Sequence, residues 1–259
     1  MSRAGVRVSH AVGLPLLLVA LWWALAASTD SYYVSSPSEV ASAFADTWLG
    51  SRLVDDLLPS VLRLFAGYLL AVLIGVGVGV PIGLSARLRA TVEPVLEFFR
   101  AIPPPVLVPL LILLSGVGDR MKVLVIVSGC VWPILLNTVE GVRALDPQLV
   151  ETCRSYRVGR IDRLRYLVLR GASPQIMAGM RQSLSIGIIL MVISEMFASS
   201  SGLGFTIVQF QRSFAIPEMW GGILLLGLLG FVLSLGFARW ERHVLGWYFG
   251  LRRSERGGA

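Results

Sequence analysis

The sequence predicts an all-α fold that crosses a membrane about six times and carries short helices on the cytoplasmic side. Three observations predict it. Hydrophobic residues make up 55% of the chain and charged residues only 15%, whereas a soluble domain carries roughly a quarter charged residues. Several apolar runs approach the roughly 20 residues that a helix needs to cross a bilayer. The basic residues concentrate between alternate runs, as the positive-inside rule requires of cytoplasmic loops.

The apolar runs define the spans in order along the chain. Arg3 and Arg7 precede the first apolar run, and a cleaved signal peptide has the same order of charged and apolar residues. Trp22 and Trp23, however, lie deep in this run and favour a retained span. Three consecutive prolines, 103–105, interrupt the third run because proline removes a helix donor. Such a break either lines a transport path or is a packing kink. We predict spans at 11–27, 58–84, 95–114, 121–142, 175–197 and 219–238.

The segments between the spans carry their own signals. Large residues at four-residue steps predict a surface helix at 38–49. We predict a polar turn at 85–93 and a Ser/Gly-rich outer loop at 198–217. Three glycines of the second span have the four-residue spacing that permits close helix packing: Gly75, Gly79 and Gly83.

The longest polar interval, ETCRSYRVGRIDRLRYLVLRGASP (151–174), lies between the fourth and fifth spans. Its arginines outnumber its acidic residues, which are Glu151 and Asp162. Just before it, Asp146 and Pro147 have the order typical of a helix start. Apolar residues recur at helical spacing within it. We interpret the interval as short amphipathic helices that a cytoplasmic partner contacts.

The distribution of charge predicts the topology. Placing the N terminus inside puts 17 of the 23 basic residues on inner segments and five on outer ones. This bias predicts that both termini are cytoplasmic. The two cysteines lie at different depths and the two histidines are far apart, so we expect neither a disulfide framework nor a metal site. The sequence has no phosphate-binding loop and no catalytic motif, so we expect no enzyme activity and no cofactor in this chain.

Four further stretches carry a resemblance together with the basic interval: SVLRLFAGYLLAVLIGVGVGVPIGL (60–84), RAIPPPVLVPLLIL (100–113), NTVEGVRALDPQLVET (137–152) and SEMFASSSGLG (194–204). With them, residues 37–243 resemble the membrane permease subunits of bacterial ABC importers. The group concerned transports sulfonates, taurine, nitrate or bicarbonate, and pyrimidine precursors. The resemblance implies a type I importer permease fold.

The resemblance also implies an organisation and a set of partners. We expect an N-terminal tail, first transmembrane helix and outer segment at 1–36. A permease domain at 37–245 contains a cytoplasmic coupling loop at 143–174, and a cytoplasmic tail occupies 246–259. The expected setting is the bacterial inner membrane. The expected partners are two copies of a cytoplasmic subunit that binds ATP and Mg²⁺, a second permease copy, an extracytoplasmic solute-binding protein and lipid, but no nucleic acid.

The resemblance assigns docking of the ATPase to the basic interval. Glu151 and Pro174 match the family's loop, whereas Arg157 and Arg170 stand where a glycine and a proline are usual, and Gly159 lies two residues late. The break between the loop helices therefore either shifts to Gly159, or Arg157 continues the first helix. The candidate coupling residues are Glu151, Thr152, Cys153, Arg154, Tyr156, Arg157, Gly159 and Pro174.

A second candidate site, for the translocation pathway, follows one face of the fifth span. Its residues are Ser183, Gly187, Met191, Ser194 and Glu195. A small, semi-polar stripe of this kind either packs against a neighbouring helix or lines a pathway. Glu195 either gates the outer end or pairs with a neighbouring span and stabilises it.

Two questions stay open in this interpretation, the charge of the substrate and the class of transporter. Arg181 hints at an anionic substrate, although an arginine at a cytoplasmic helix end also extends toward the interface without binding a substrate. A stand-alone secondary transporter is the alternative function. It predicts internal repeats and ionisable residues at mid-membrane, whereas the sequence has no clear repeat and no acidic pair at that depth.

Overall fold

The computed structural model describes residues 3–29, 31–197, 199–248 and 250, and within them the chain is helical. Most of the predicted tail 246–259 lies outside the described residues. The helices are α1 (Arg3–Ser28), α2 (Pro37–Trp48), α3 (Leu58–Leu84), α4 (Ala86–Arg100), α5 (Val108–Ser115), α6 (Asp119–Arg143), α7 (Pro147–Ser155), α8 (Arg160–Asp162), α9 (Arg170–Phe197), α10 (Leu203–Arg212) and α11 (Ile216–Val244). Three tighter or wider turns join them: a π-helical turn before α3 (Leu53–Leu57), a 3₁₀ turn before α5 (Pro104–Leu107) and a π-helical turn before α9 (Arg163–Leu169).

The chain is the all-α, polytopic membrane protein that the sequence predicts. By length and composition, four continuous helices can cross a membrane: Leu53–Leu84, Asp119–Arg143, Arg160–Phe197 and Ile216–Val244. α4 and the segment Pro104–Ser115 form a further candidate span, bent by 80° at the prolines. The first predicted span coincides with a shorter apolar helix, Gly13–Ser28. The described residues thus contain five candidate spans and a shorter sixth apolar helix.

Two predicted irregular segments are wrong because helices form in them. The predicted turn 85–93 lies in α4, since the Ser85 hydroxyl accepts a hydrogen bond from the Leu88 N–H at 3.2 Å and starts the helix. The predicted loop 198–217 contains α10, which begins directly after Gly202. Apart from Ser213, its glycine and serine residues lie at or before Gly204, and the residues that follow have the apolar periodicity of a helix.

The fifth span begins earlier than predicted, so Pro174 lies inside α9 rather than before it. A proline within a helix leaves the carbonyl four residues earlier without its N–H donor. Here that carbonyl belongs to Arg170, and the Ser173 hydroxyl donates to it at 2.8 Å. The side chain next to the proline therefore replaces the missing donor and allows the helix to continue.

One compact unit comprises Met1–Pro59 and Ser201–Leu228. The predicted surface helix at 38–49 is confirmed as α2, and it begins with a capping box. The Ser36 hydroxyl accepts from the Glu39 N–H at 3.3 Å, and the Glu39 carboxylate accepts from the Ser36 N–H at 2.8 Å. At the other end of α2, Trp48 is fully buried and its indole N–H donates to the Glu218 carbonyl at 3.1 Å. The capping box therefore sets the start of α2, within one residue of the start that the four-residue spacing predicts.

The other compact unit comprises the described residues within Ser60–Ser200 and Leu229–Ala259. Its α3 packs closely on α6 along the predicted glycine stripe. A Cβ atom added at Gly75, Gly79 or Gly83 would lie within 2.8 Å of a side-chain carbon of α6. The α6 residues met there are Ile134, Thr138 and Val142. Close packing of α3 through small residues is therefore confirmed.

Helix α9 lies against α6 in the same unit. A Cβ atom at Gly179 would lie 2.6 Å from the Pro133 carbonyl oxygen. On α3, the Tyr68 hydroxyl donates to the Met180 carbonyl at 2.8 Å. Glycine contacts and buried hydrogen bonds therefore hold α3, α6 and α9 together.

Candidate functional site

The first candidate region is α7 with the turn that follows it. The predicted helix start is confirmed, because the Asp146 carboxylate accepts a hydrogen bond from the Gln148 N–H at 2.8 Å and Pro147 occupies the first helical position. Within the helix, the Thr152 hydroxyl donates to the Gln148 carbonyl at 2.8 Å. Glu151 is exposed beside it. The sequence signal for this helix is local, which is why it identifies the start correctly.

α7 ends at Ser155, and the backbone break that follows lies at Arg157 itself, which neither predicted alternative describes. Arg157 has φ 54, in the left-handed region, whereas Gly159 has φ −57. The Arg157 N–H donates to the Arg154 carbonyl at 3.0 Å, and the Val158 N–H donates to the Cys153 carbonyl at 2.9 Å. These bonds close the helix end in the manner usually supported by glycine. A side chain in this conformation costs roughly 1–2 kcal/mol relative to glycine.

The turn and its flanks expose both apolar and basic side chains. Tyr156 is 81% exposed and Ile161 is 80% exposed. The guanidinium groups of Arg154, Arg157 and Arg160 are exposed, and none has a hydrogen bond or ion pair with a residue that the structure describes. An exposed surface that mixes arginine with aromatic and aliphatic side chains has the composition of a protein interface.

The opposite side of the basic interval is anchored. In the π-helical turn that precedes α9, Val168 is buried, and α7 packs against this turn. At the start of α9, Ala172 is fully buried, and the Arg170 guanidinium lies 5.5 Å from the centroid of the Trp247 ring. The interval is therefore fixed to the helical body on one side and open on the other.

The second candidate region, the stripe on α9, packs against a neighbour in this structure. The Ser183 hydroxyl donates to the Cys130 carbonyl at 2.7 Å. A Cβ atom at Gly187 would meet Leu64 at 3.0 Å and the Cys130 sulfur at 3.1 Å. Met191 is fully buried. The stripe thus contacts α3 and α6, and its part in a translocation pathway stays a prediction.

Glu195, at the end of this stripe, belongs to a group of buried charges. Its side chain is fully buried, as is that of Ser194, whose hydroxyl donates to the Met191 carbonyl. The Glu195 carboxylate accepts from the Ser60 hydroxyl at 2.7 Å and from Arg63 at 2.8 Å. The structure therefore contains the pairing with a neighbouring span that the sequence left open, while a gating role stays a prediction.

The same arginine extends the group to α6. The Arg63 guanidinium donates to the Asp119 carboxylate at 2.7 Å. The Lys122 ammonium lies 3.5 Å from the same carboxylate and donates to the Ser199 hydroxyl at 2.7 Å. Two cations and two anions therefore balance each other at one end of three helices. Arg63, Lys122 and Glu195 are buried, whereas the Asp119 side chain at the edge of the group is 70% exposed. After its buried members, we call this set the buried charge network: Ser60, Arg63, Asp119, Lys122, Glu195 and Ser199.

Sequence reasoning missed this network apart from Glu195. It counted Arg63 and Lys122 as basic residues at outer span ends and did not connect them with Asp119. A usable signal was present, because residues of opposite charge stood at the same predicted end of three spans. A charge at a span end needs a partner when it is buried, so these charges were candidates for pairing.

Arg181 also has a partner that the sequence did not indicate. It forms an ion pair with Glu241 of α11, whose side chain is 11% exposed. The pair lies in the compact unit that contains α9. Arg181 therefore has a structural counter-charge and gives no argument for an anionic substrate.

Long apolar helices, one of them broken at prolines, and an exposed basic segment between two spans define a multi-pass membrane protein of the transport-permease class. Residues 53–245 match the family described as binding-protein-dependent transport system inner membrane component, and the chain belongs to that family. It is therefore an inner-membrane permease component, and the predicted relationship to ABC importer permeases is confirmed.

Individual relatives agree with this assignment. The chain is 28% identical over 253 residues to the taurine transport system permease protein TauC of Escherichia coli, covering 93% of this chain and 90% of the relative. It is 31% identical over 237 residues to the putative aliphatic sulfonates transport permease protein SsuC of Escherichia coli, covering 90% of each. Its fold is similar to a chain of the inward-facing MetNI methionine ABC transporter, with a TM-score of 0.58, 20% identity, and coverage of 73% of this chain and 95% of that one.

Proposed function

We propose that this chain forms the translocation pathway of an ABC importer and couples it to a separate cytoplasmic ATP-binding subunit. The observation that carries this proposal is the exposed surface of α7 and its following turn, held between two candidate spans. The segment is anchored on one side through Val168 and Ala172 and open on the other. A partner that moves α7 would therefore move α9 with it.

The proposed assembly contains two copies of this permease, two ATP-binding subunits that hold ATP and Mg²⁺, and an extracytoplasmic solute-binding protein. Both termini lie in the cytoplasm, in agreement with the concentration of arginine in the inner segments. ATP hydrolysis belongs to the partner subunit. In this arrangement the buried charge network lies at the outer ends of α3, α6 and α9.

The proposed coupling is mechanical. Closure of the ATP-binding subunits displaces α7, and the π-helical turn Arg163–Leu169 passes the displacement to α9 because the two elements are in contact. The close contacts that Gly79 and Gly179 permit make α3, α6 and α9 move as one body. A rigid movement of packed helices then alternates access to the pathway.

The proposed substrate is a small sulfonate. Two relatives are named for taurine and for aliphatic sulfonates. Each of the two alignments includes nine tenths or more of this chain. Nitrate, bicarbonate and pyrimidine precursors are the other members of the predicted substrate group. Binding of each solute to the associated solute-binding protein distinguishes them.

Uptake by proteoliposomes tests the function. The full chain is reconstituted with its copurifying ATP-binding subunit, and uptake of radiolabelled taurine is measured with and without internal ATP and the solute-binding protein. We expect uptake only when all components are present. Uptake that persists without any ATP-binding subunit would overturn the proposal and support a stand-alone secondary transporter.

The stripe on α9 is tested in the same vesicles. Cysteine is placed at Ser183 or Ser194, in a background in which the native cysteines are serine, and its reaction with a water-soluble maleimide is followed with and without ATP. Since both side chains are fully buried in this structure, a pathway role predicts labelling that depends on turnover. Absence of labelling in every state would leave these residues with a packing role alone.

A further inference from the structure

The turn after α7 keeps an arginine in a conformation that favours glycine. Arg157 has φ 54, and only glycine adopts this region without a steric cost. Its guanidinium has no hydrogen bond or ion pair with any residue that the structure describes. The left-handed backbone conformation of Arg157 therefore costs free energy in the folded chain, and no internal contact of the guanidinium with the described residues offsets this cost.

The other non-glycine residue with positive φ among the described residues is different. Phe214 has φ 58, and its carbonyl accepts a hydrogen bond from the Tyr32 hydroxyl at 2.7 Å. A contact from a distant part of the chain thus supports that turn. The backbone hydrogen bond of Arg157 is instead local, to Arg154. Strain that the fold does not use is typical of a functional position.

The charge around Arg157 is mainly positive. Between residues 154 and 165 the chain carries five arginines and a single acidic residue, Asp162. Arg154 and Arg160 are exposed and unpaired within the described part of the chain. Arg163 is half-buried, and Arg165 lies 5.5 Å from the centroid of the Tyr166 ring. We call the five arginines of this stretch the arginine surface: Arg154, Arg157, Arg160, Arg163 and Arg165. Its natural counterpart is a surface rich in carboxylates, because the arginine fork binds a carboxylate through two parallel hydrogen bonds.

The length of the continuous helix separates this surface from the lipid head groups. Arg160–Phe197 spans 38 residues, which at 1.5 Å per residue corresponds to about 57 Å. A bilayer with its head groups is about 40–45 Å thick. With Phe197 at the outer interface and the helix along the membrane normal, the helix begins about 12 Å beyond the inner head groups, and helix tilt shortens this distance. The turn at Arg157 lies at this projecting end, where a protein rather than a lipid is within reach.

We propose that the arginine surface docks in a carboxylate-rich groove of the ATP-binding subunit, and that Arg157 pairs with a carboxylate there and determines which ATP-binding subunit is accepted. This inference rests on the proposed function, since it names the chemistry of the partner at the same docking segment. The exposed Tyr156 and Ile161 side chains supply the apolar part of the interface. The backbone cost at Arg157 is offset on assembly, when its guanidinium gains a partner.

The test measures binding of the copurifying ATP-binding subunit to the full chain in nanodiscs at increasing NaCl concentrations. We expect wild-type affinity to fall with salt, because salt screens exposed charges. Arg157→Glu should weaken binding at low salt by about tenfold or more, since like charges then face each other. Arg157→Gly should weaken it several-fold. Arg87→Glu, an equal charge change at an exposed position of α4, should leave binding unchanged.

Each other outcome is decisive. If Arg157→Glu binds normally while Thr152→Trp abolishes binding, docking through α7 is supported, and the proposed pairing of Arg157 with a carboxylate-rich groove is contradicted. If neither variant affects binding, the proposed coupling through this segment fails as well. If Arg157→Glu loses binding only in nanodiscs that contain anionic lipid, the arginines contact head groups and the inference is overturned. Arg157→Gly that binds as tightly as wild type overturns it too.

Discussion

The two ends of the helix that runs from Arg160 to Phe197 differ in how their charged side chains are placed: they are buried and paired at one end, and exposed and, among the described residues, unpaired at the other. At the end near Phe197, Glu195 and Arg63 are buried and paired at 2.8 Å. At the other end, Arg157 and its neighbours are exposed and have no partner among the described residues. A buried charge without a partner is expensive, so the chain pairs its charges where they are covered. Where they stay in water they remain available to another molecule, and this difference separates the structural end from the docking end.

The largest expected effect comes from breaking the buried pair. Glu195→Leu removes the acceptor that the Arg63 guanidinium and the Ser60 hydroxyl share, while Arg63 keeps its bond to Asp119. The expected cost is therefore at most that of removing one partner of a buried ion pair, about 3–5 kcal/mol. We expect a marked fall in the thermal unfolding midpoint of the detergent-solubilised chain. Glu97→Leu, which breaks an exposed pair with Arg100, should change it little. Equal midpoints for the two variants would contradict the importance of burial.

A second substitution at the same position separates gating from stabilisation. Glu195→Gln keeps an acceptor for Ser60 and removes the negative charge. We expect altered uptake kinetics in proteoliposomes if the charge gates the outer end. Normal kinetics in a correctly assembled Glu195→Gln transporter would leave Glu195 with the stabilising role alone.

A smaller effect is expected where the helices approach without charges. Gly79→Val would place a Cβ atom 2.8 Å from the Thr138 side chain, and overpacking typically costs about 1–3 kcal/mol. Gly77→Val is the matched control in the same helix, because no atom lies within 4 Å of a Cβ there. Thermal unfolding of the two variants should differ by this amount. Indistinguishable stabilities would show that α3 and α6 pack less closely than these distances require.

The smallest effect is expected at the turn after α7. Arg157→Gly removes the cost of the left-handed conformation, roughly 1–2 kcal/mol, and should slow hydrogen exchange of the Val158 amide, which bonds to Cys153. Gly159→Ala should have little effect on this exchange, because φ at Gly159 is −57. Faster exchange in Arg157→Gly would mean that the arginine side chain stabilises its own turn. The cost of the left-handed conformation would then already be offset within the folded chain.

Sequence alone predicted the features that depend on neighbouring residues. The four-residue pattern of large residues in α2 and the start of α7 at Asp146 are local signals, whereas the capping box of Ser36 and Glu39 was found only in the structure. The glycine stripe that includes Gly79 is a periodic signal within one helix, and it identified the close packing surface although not the helix packed against it. The fold class followed from composition and run length.

The remaining features depend on distant residues or on the backbone itself. The pair of Arg63 and Glu195 joins residues 132 positions apart, and their depth in the membrane cannot be read from spacing to within one turn. The sequence analysis did not predict the left-handed conformation at Arg157, because an arginine normally avoids this conformation and the neighbouring residues do not indicate it. The candidate pathway residues were found as a stripe, but only the structure placed Ser183 against Cys130.

The proposed mechanism depends above all on α7 coupling ATP hydrolysis to transport, and Glu151→Ala probes that coupling without changing the pore. The variant is assembled with its ATP-binding subunit in proteoliposomes, and hydrolysis and substrate uptake are measured in the same sample, with Glu93→Ala at an exposed position of α4 as the control. We predict that the Glu151→Ala assembly continues to hydrolyse ATP while uptake per ATP falls at least several-fold, and that Glu93→Ala behaves as wild type. Full, ATP-dependent uptake by a well-assembled Glu151→Ala transporter would contradict coupling through α7.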